Sequence, residues 1–169
     1  MDPAQYKLGE NAENLAIETL AECSAVSLAL AQQATRSLHI FSRTLDERLY
    51  DTAPFLEALR QLAIRSRYSV IQVLVQQPDH AVKNGHRLIE LGRRLSSAIH
   101  LRTVHNDFRE HNEAFLIADE VGFLHRPLAD RFEGRANFHD PLEGRELLRF
   151  FNKVWEMSSR DPEHLRLHI

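Results

Sequence analysis

The side chains best able to do chemistry sit around one short apolar run. His111 and Asp119 bracket Asn112-Glu113-Ala114-Phe115-Leu116-Ile117-Ala118, and His125 follows shortly after. An imidazole works as nucleophile or as general acid near neutral pH, so His111 and His125, with Asp119, are the candidate catalytic residues. Arg126, Arg131 and Arg135 recur just downstream. Guanidinium groups bind phosphate through paired N–H donors without entering a reaction, which makes these three the candidate anion-binding residues. Asp119, Asp130, Glu133 and Asp140 are alternative partners for the same arginines. Among ten histidines, His105 and His111 bracket Asn106 to Glu110, yet no H-x-H or H-E-x-x-H spacing marks a metal site. No P-loop and no dinucleotide glycine fingerprint occurs, so neither metal nor cofactor is expected.

The elements that must hold these residues alternate in type. Leu15 to Leu20 reads as a short strand, Ser24 as the cap of a helix reaching about Thr35, and Leu38 to Phe41 as a second strand. A helix follows from Asp51 or Thr52, with Phe55, Leu56, Leu59, Leu62 and Ala63 on one face. Tyr68 to Val75 is a β-branched run suited to a buried strand. A helix over about Lys83 to Leu95 and a strand over Ile99 to Val104 complete an alternation that predicts parallel neighbours with helices on both faces. Ala114 to Asp119 and Phe123 to Arg126 lie a hairpin apart, and Gly134 to Phe138 reads as the last strand. Asp140-Pro141-Leu142-Glu143 is a strong helix start, followed by the stripe Leu147, Phe150, Phe151, Val154 and Trp155. The expected organisation is a mobile lead-in over residues 1–14, an α/β domain over 15–159 with a mixed, largely parallel sheet, and a tail over 160–169. Arg160-Asp161-Pro162 ends the helix, and Leu165 to Ile169 alternates like an edge strand.

The order of these elements resembles one half of a phospholipase D-like protein, over roughly Ile17 to Met157. Members of that superfamily carry H-x-K-x-x-x-x-D on a strand like this one, with a histidine that attacks phosphorus and a lysine that binds phosphate. Counted back from Asp119, those positions hold Asn112 and Ala114. His111 is one residue out of step, and a one-residue slip on a strand turns a side chain to the other face. The family's Gly-Ser-x-Asn element is also missing after Asp119, where Arg126-Pro127-Leu128 stands; Gly134-Arg135-Ala136-Asn137-Phe138 is similar in letters but about eight residues too late. More narrowly, LHIFSRTLDERLYD, HRLIELGRRLSSAIHLR and the stretch from FLIAD to EGRANF are similar to an uncharacterised bacterial PLD-like family, found alone or attached to GNAT-type acyltransferases.

The resemblance implies a catalytically silent PLD-like domain that serves as a binding or regulatory module and retains an anion or phosphate site. The alternatives are a divergent phosphodiesterase or nuclease using His111 or His125, and a partner subunit of an acyltransferase. A homodimer is expected, because a single half leaves the superfamily's pseudo-twofold surface unpaired. With 169 residues, 43% hydrophobic and 27% charged, the chain suits one domain. A net charge of −3 gives no global attraction to nucleic acid or anionic membrane, so any anion site must be local. Arginine outnumbers lysine eighteen to three. The single cysteine, Cys23, rules out an intramolecular disulfide, and no apolar run reaches the ~18 residues of a membrane span, so a cytoplasmic protein is expected.

Overall fold

Apolar β-branched segments form the centre of a seven-stranded sheet in the computed structural model, which describes residues 2–158. The strands are β1 (Leu15–Ile17), β2 (Ser37–Ser42), β3 (Val70–Val75), β4 (Ile99–Thr103), β5 (Ala114–Ala118), β6 (Gly122–Arg126) and β7 (Gly134–Asn137). Their order is β1-β7-β6-β5-β2-β3-β4. Parallel pairing joins β2 to β3 and β3 to β4. The other four pairings are antiparallel, so the sheet is mixed as expected but less parallel than the early βα alternation suggests. The reason is topological: β5 returns beside β2, and from there the chain advances through short connections that reverse direction at each step.

The helices are α1 (Leu20–Gln33), α2 (Glu47–Tyr50), α3 (Ala53–Arg65), α4 (Asp79–Lys83), α5 (Arg87–Arg94) and α6 (Pro141–Met157). Thr52 caps α3 by accepting from the Phe55 N–H, and Asp140 caps α6 by accepting from the Glu143 N–H at 3.1 Å. α1 starts at Leu20, earlier than the expected cap at Ser24. Thr19 accepts from the Glu22 N–H while Glu22 reaches back to the Glu18 N–H, a local box that starts the helix sooner. The helix expected over Lys83 to Leu95 begins only at Arg87, as α5, because the short α4 ends at Lys83 and Gly85, at φ +63, breaks the chain from one to the other. His86 then caps α5, its Nδ1 accepting from the Leu88 N–H.

Two apolar layers result. One lies between the sheet and α1, α3 and α5, and includes Leu30, Leu59, Leu88, Ile40, Val73, Leu116 and Leu124. The other lies under α6, where Phe151, Val154 and Trp155 meet Phe41, Leu74, Phe115, Ile117 and Phe123. Helices thus cover both faces. Burial raises the Cys23 thiol pKa, and burial does the same to the Tyr50 phenol.

The segment before β1, expected as a mobile lead-in, packs against this frame. Tyr6 stacks on Phe138, the Leu8 N–H donates to Gln33 Oε1 at 2.8 Å, and the Gly9 N–H donates to the Phe138 carbonyl. The expected helix stop at Arg160-Asp161-Pro162 and the strand over Leu165 to Ile169 lie outside the described residues. No described helix is long and apolar enough to cross a membrane.

Candidate functional site

The strand end that carries His111 meets the carboxyl ends of β2 and β3, a common location for ligand sites in α/β sheets. Alternation along β5 sends Ala114, Leu116 and Ala118 toward the α1 and α3 layer, and Glu113, Phe115 and Ile117 toward α6. His111 lies with the second set, its ring 4.4 Å from that of Phe150.

His111 and His125, separated in sequence, converge on one carboxylate. His111 Nε2 is 2.8 Å from Glu113 Oε2, and His125 Nε2 is 3.3 Å from Glu113 Oε1. The second contact is not a well-directed hydrogen bond, since His125 Nε2 has no hydrogen-bond partner. The phenylalanines around them limit the room above the imidazoles: Phe115 stacks on Phe41, and Phe150 tilts over both Phe41 and His111.

On the other face, Ala114 is fully buried and stands directly across from Arg126 on β6. Arg126 is 4% exposed. Its Nη1 donates to the Arg131 carbonyl at 3.0 Å, and its guanidinium lies 5.6 Å from the Phe132 ring centroid. Its charge also reaches Asp46. Burial raises the Asp46 pKa, but the hydrogen bonds and charge of Arg48, together with the charge of Arg126, outweigh this and hold the carboxyl below its ordinary value.

The three candidate arginines do not converge. Arg131 is exposed and contributes its carbonyl to Arg126. Arg135 faces α6, where it meets Glu143 at 3.3 Å and lies over the Phe123 ring. Arg126 and Arg135 therefore occupy opposite faces of the sheet. Asp119 sits at the far end of β5, away from both histidines. Its carboxylate accepts from the backbone N–H groups of Thr35, Arg36 and Ser37 at 2.8 to 3.1 Å. Asp119 and Glu120 both take positive φ, so Asp119 closes the β5 to β6 turn while gathering the segment that leads into β2.

Two residues at the strand end escape a reading from motifs. Arg43, just past β2, donates Nη2 to Asn112 Oδ1 at 2.8 Å, which ties up the Asn112 side chain. Gln76, 3% exposed at the end of β3, donates Nε2 to the carbonyls of Phe108, Arg109 and His111, which fixes the loop entering β5. Their only signal in the sequence is a polar residue at the carboxyl end of a buried run. Next to them, a cleft of ≈ 350 Å³ opens at the ends of β2, β3 and β4, lined by Thr44, Gln76, Gln77, His80, Thr103 and Arg109 among others. Among the described residues no group of three or more His, Cys, Asp or Glu side chains has metal-holding geometry.

The fold recurs in solved structures. Nuc, a phospholipase D family member from Salmonella typhimurium, superimposes with a TM-score of 0.61 at 15% identity, over 88% of this chain and 100% of that one. NucT from Helicobacter pylori gives 0.60 at 10% identity, over 88% and 99%. TrmBL2, an archaeal chromatin protein with a novel mode of DNA binding, gives 0.64 at 12% identity over 90% of this chain; the chain spans about half of TrmBL2, 54% of its length. Identities this low show a shared fold and nothing of activity. No curated protein sequence matches the chain. A family profile described as a domain of unknown function, DUF7931, matches residues 19–167. The chain therefore belongs to the DUF7931 family, and it carries that domain on a phospholipase D-like fold.

Proposed function

We propose that this domain is a catalytically silent phospholipase D-like module that binds a phosphate-containing ligand without cleaving it. The carrying observation is the pairing of Ala114 with Arg126 across β5 and β6. A cation is thus supplied from the neighbouring strand, directly opposite the position where the superfamily's motif has lysine. The nucleophile position holds Asn112, whose carboxamide neither attacks phosphorus nor transfers a proton to a leaving group, and whose Oδ1 is engaged by Arg43. An anion held beside Arg126 would then be bound and left intact. The same fold occurs in TrmBL2, a chromatin protein with a novel mode of DNA binding, so the fold is compatible with a binding role. A homodimer completes the proposal, because isologous pairing of two such halves restores the superfamily's two-half arrangement.

The convergence of His111 and His125 on Glu113 favours a second reading, a divergent phosphodiesterase with one imidazole as base and the other as acid. Two measurements separate them. Turnover of bis-p-nitrophenyl phosphate by the wild type that is lost in His111→Ala would establish the second reading and overturn the first. Calorimetric titration with inorganic pyrophosphate should show binding that weakens about tenfold or more in Arg126→Ala, the scale of a lost charge-assisted contact. Arg126→Met, which keeps much of the buried volume, serves as the control for folding. Equal pyrophosphate affinity in the wild type and both variants removes Arg126 from the site.

A further inference from the structure

At the end of the sheet opposite Asn112, the topology gathers arginines that lie far apart in the sequence. β2, β3 and β4 are parallel neighbours, so their first residues share one end, about 4.8 Å from strand to strand. Arginine precedes each of them: Arg36 before β2, Arg65 and Arg67 before β3, and Arg93 and Arg94 at the close of α5 before β4. The segments are joined side by side, the Val70 N–H donating to the Arg36 carbonyl at 3.0 Å and the Ile71 N–H to the Ala98 carbonyl at 2.8 Å. All five arginines are exposed.

An aromatic ring sits among them. Tyr68 is 73% exposed, with the Arg67 guanidinium 4.8 Å from its ring centroid and Arg67 Nη2 donating to its hydroxyl at 2.6 Å. One face of the ring is thus backed by a cation while most of the residue stays open to solvent. Among the described residues no ion pair engages Arg36, Arg65 or Arg67, whereas Arg93 and Arg94 already have partners. Glu90 pairs with Arg94 at 3.5 Å, and the Asp119 carboxylate is consumed by the backbone of Thr35 to Ser37, leaving Glu120 at the hairpin tip. Because the whole chain carries −3, this basic end is a local concentration against an acidic background.

We propose that the Arg36, Arg65, Arg67 and Arg94 surface with Tyr68 binds single-stranded nucleic acid, the guanidinium groups on phosphates and a base stacked on the Tyr68 ring. A duplex would satisfy the cations but leave the ring idle, since its bases are already stacked. Unpaired bases use both features, which is the pattern of single-strand binding surfaces. The surface is remote from Arg126 and does not depend on the reading of the β5 and β6 face.

Fluorescence anisotropy with a labelled oligothymidylate of about 20 nucleotides tests it. Binding should weaken as salt rises from about 50 to 200 mM, with a log–log slope of about −3 for the roughly four phosphates these arginines can neutralise. Arg65→Glu with Arg67→Glu should abolish binding within the accessible range. Tyr68→Ala should weaken it roughly 5- to 100-fold, and Tyr68→Trp should restore it. These positions are exposed, so unchanged thermal midpoints verify folding. The proposal is overturned if the arginine double variant binds like the wild type, or if Tyr68→Ala has no effect while inorganic polyphosphate competes as well as the oligonucleotide. It is equally overturned if the full chain binds phosphatidylglycerol vesicles and ignores the oligonucleotide.

Discussion

His39 makes stability sensitive to mild acid. It lies in the middle of β2, 7% exposed, paired in register with Gln72 on β3 and Ile117 on β5, with the Phe151 ring edge-on at 5.0 Å. Burial disfavours its charged form, and a hydrogen bond with Gln72 offsets this only in part, so its pKa falls from 6.5 to about 4. In the unfolded chain the imidazole takes up a proton near its ordinary value. Between the two values the unfolded state binds more protons, so the folded state loses stability as pH falls through that window. At about 1.4 kcal/mol per pH unit, the gap corresponds to about 3 kcal/mol in total, of which about 2 is lost between pH 7 and pH 5. Urea unfolding of the wild type and His39→Gln at those two pH values measures it. His86, whose pKa is lowered chiefly by burial, adds to the loss in both proteins, so the difference between them isolates His39. If both lose the same stability, or if His39 titrates near 6.5 by NMR, the argument from burial fails.

Two further changes probe the frame around the site. Asp119→Ala should cost about 2–4 kcal/mol in urea unfolding, because it strips the acceptor from three backbone N–H groups, and Asp119→Asn should recover part of that loss. An intact midpoint in Asp119→Ala would refute its role as a staple of the turn. Gly144→Ala should destabilise by about 1–3 kcal/mol, because a Cβ there runs into the backbone carbonyl of Glu120 and must push α6 away from the hairpin. Unchanged stability in that variant would mean the helix can shift freely.

Much of the architecture is written in local chemistry. The run Val70 to Val75, the cap at Thr52 and the start Asp140-Pro141-Leu142-Glu143 define β3, α3 and α6, because caps and apolar periodicity act over a few residues. Counting back from Asp119 sets Asn112 and Ala114 where the resemblance to the phospholipase D-like motif implies histidine and lysine, since a motif on one strand has a fixed spacing. The early start of α1 is also local, in Thr19-Leu20-Ala21-Glu22, a capping box that lies ahead of Ser24.

Other features depend on which strands become neighbours, and no local signal carries that. β5 sits beside β2 because of how the layers pack, and this return makes the sheet less parallel than the βα rhythm implies. Cross-strand register brings His125 to Glu113, which already meets His111 two residues away on its own segment, and the pleat sends Arg126 and Arg135 to opposite faces although both flank the same short loop. The arginines at the starts of β2, β3 and β4 likewise form one surface only once parallel pairing aligns those starts. Spacing along a chain determines what a single helix or strand presents; the meeting of side chains from different strands is set by long-range pairing, whose free energy is shared among all the contacts of the fold.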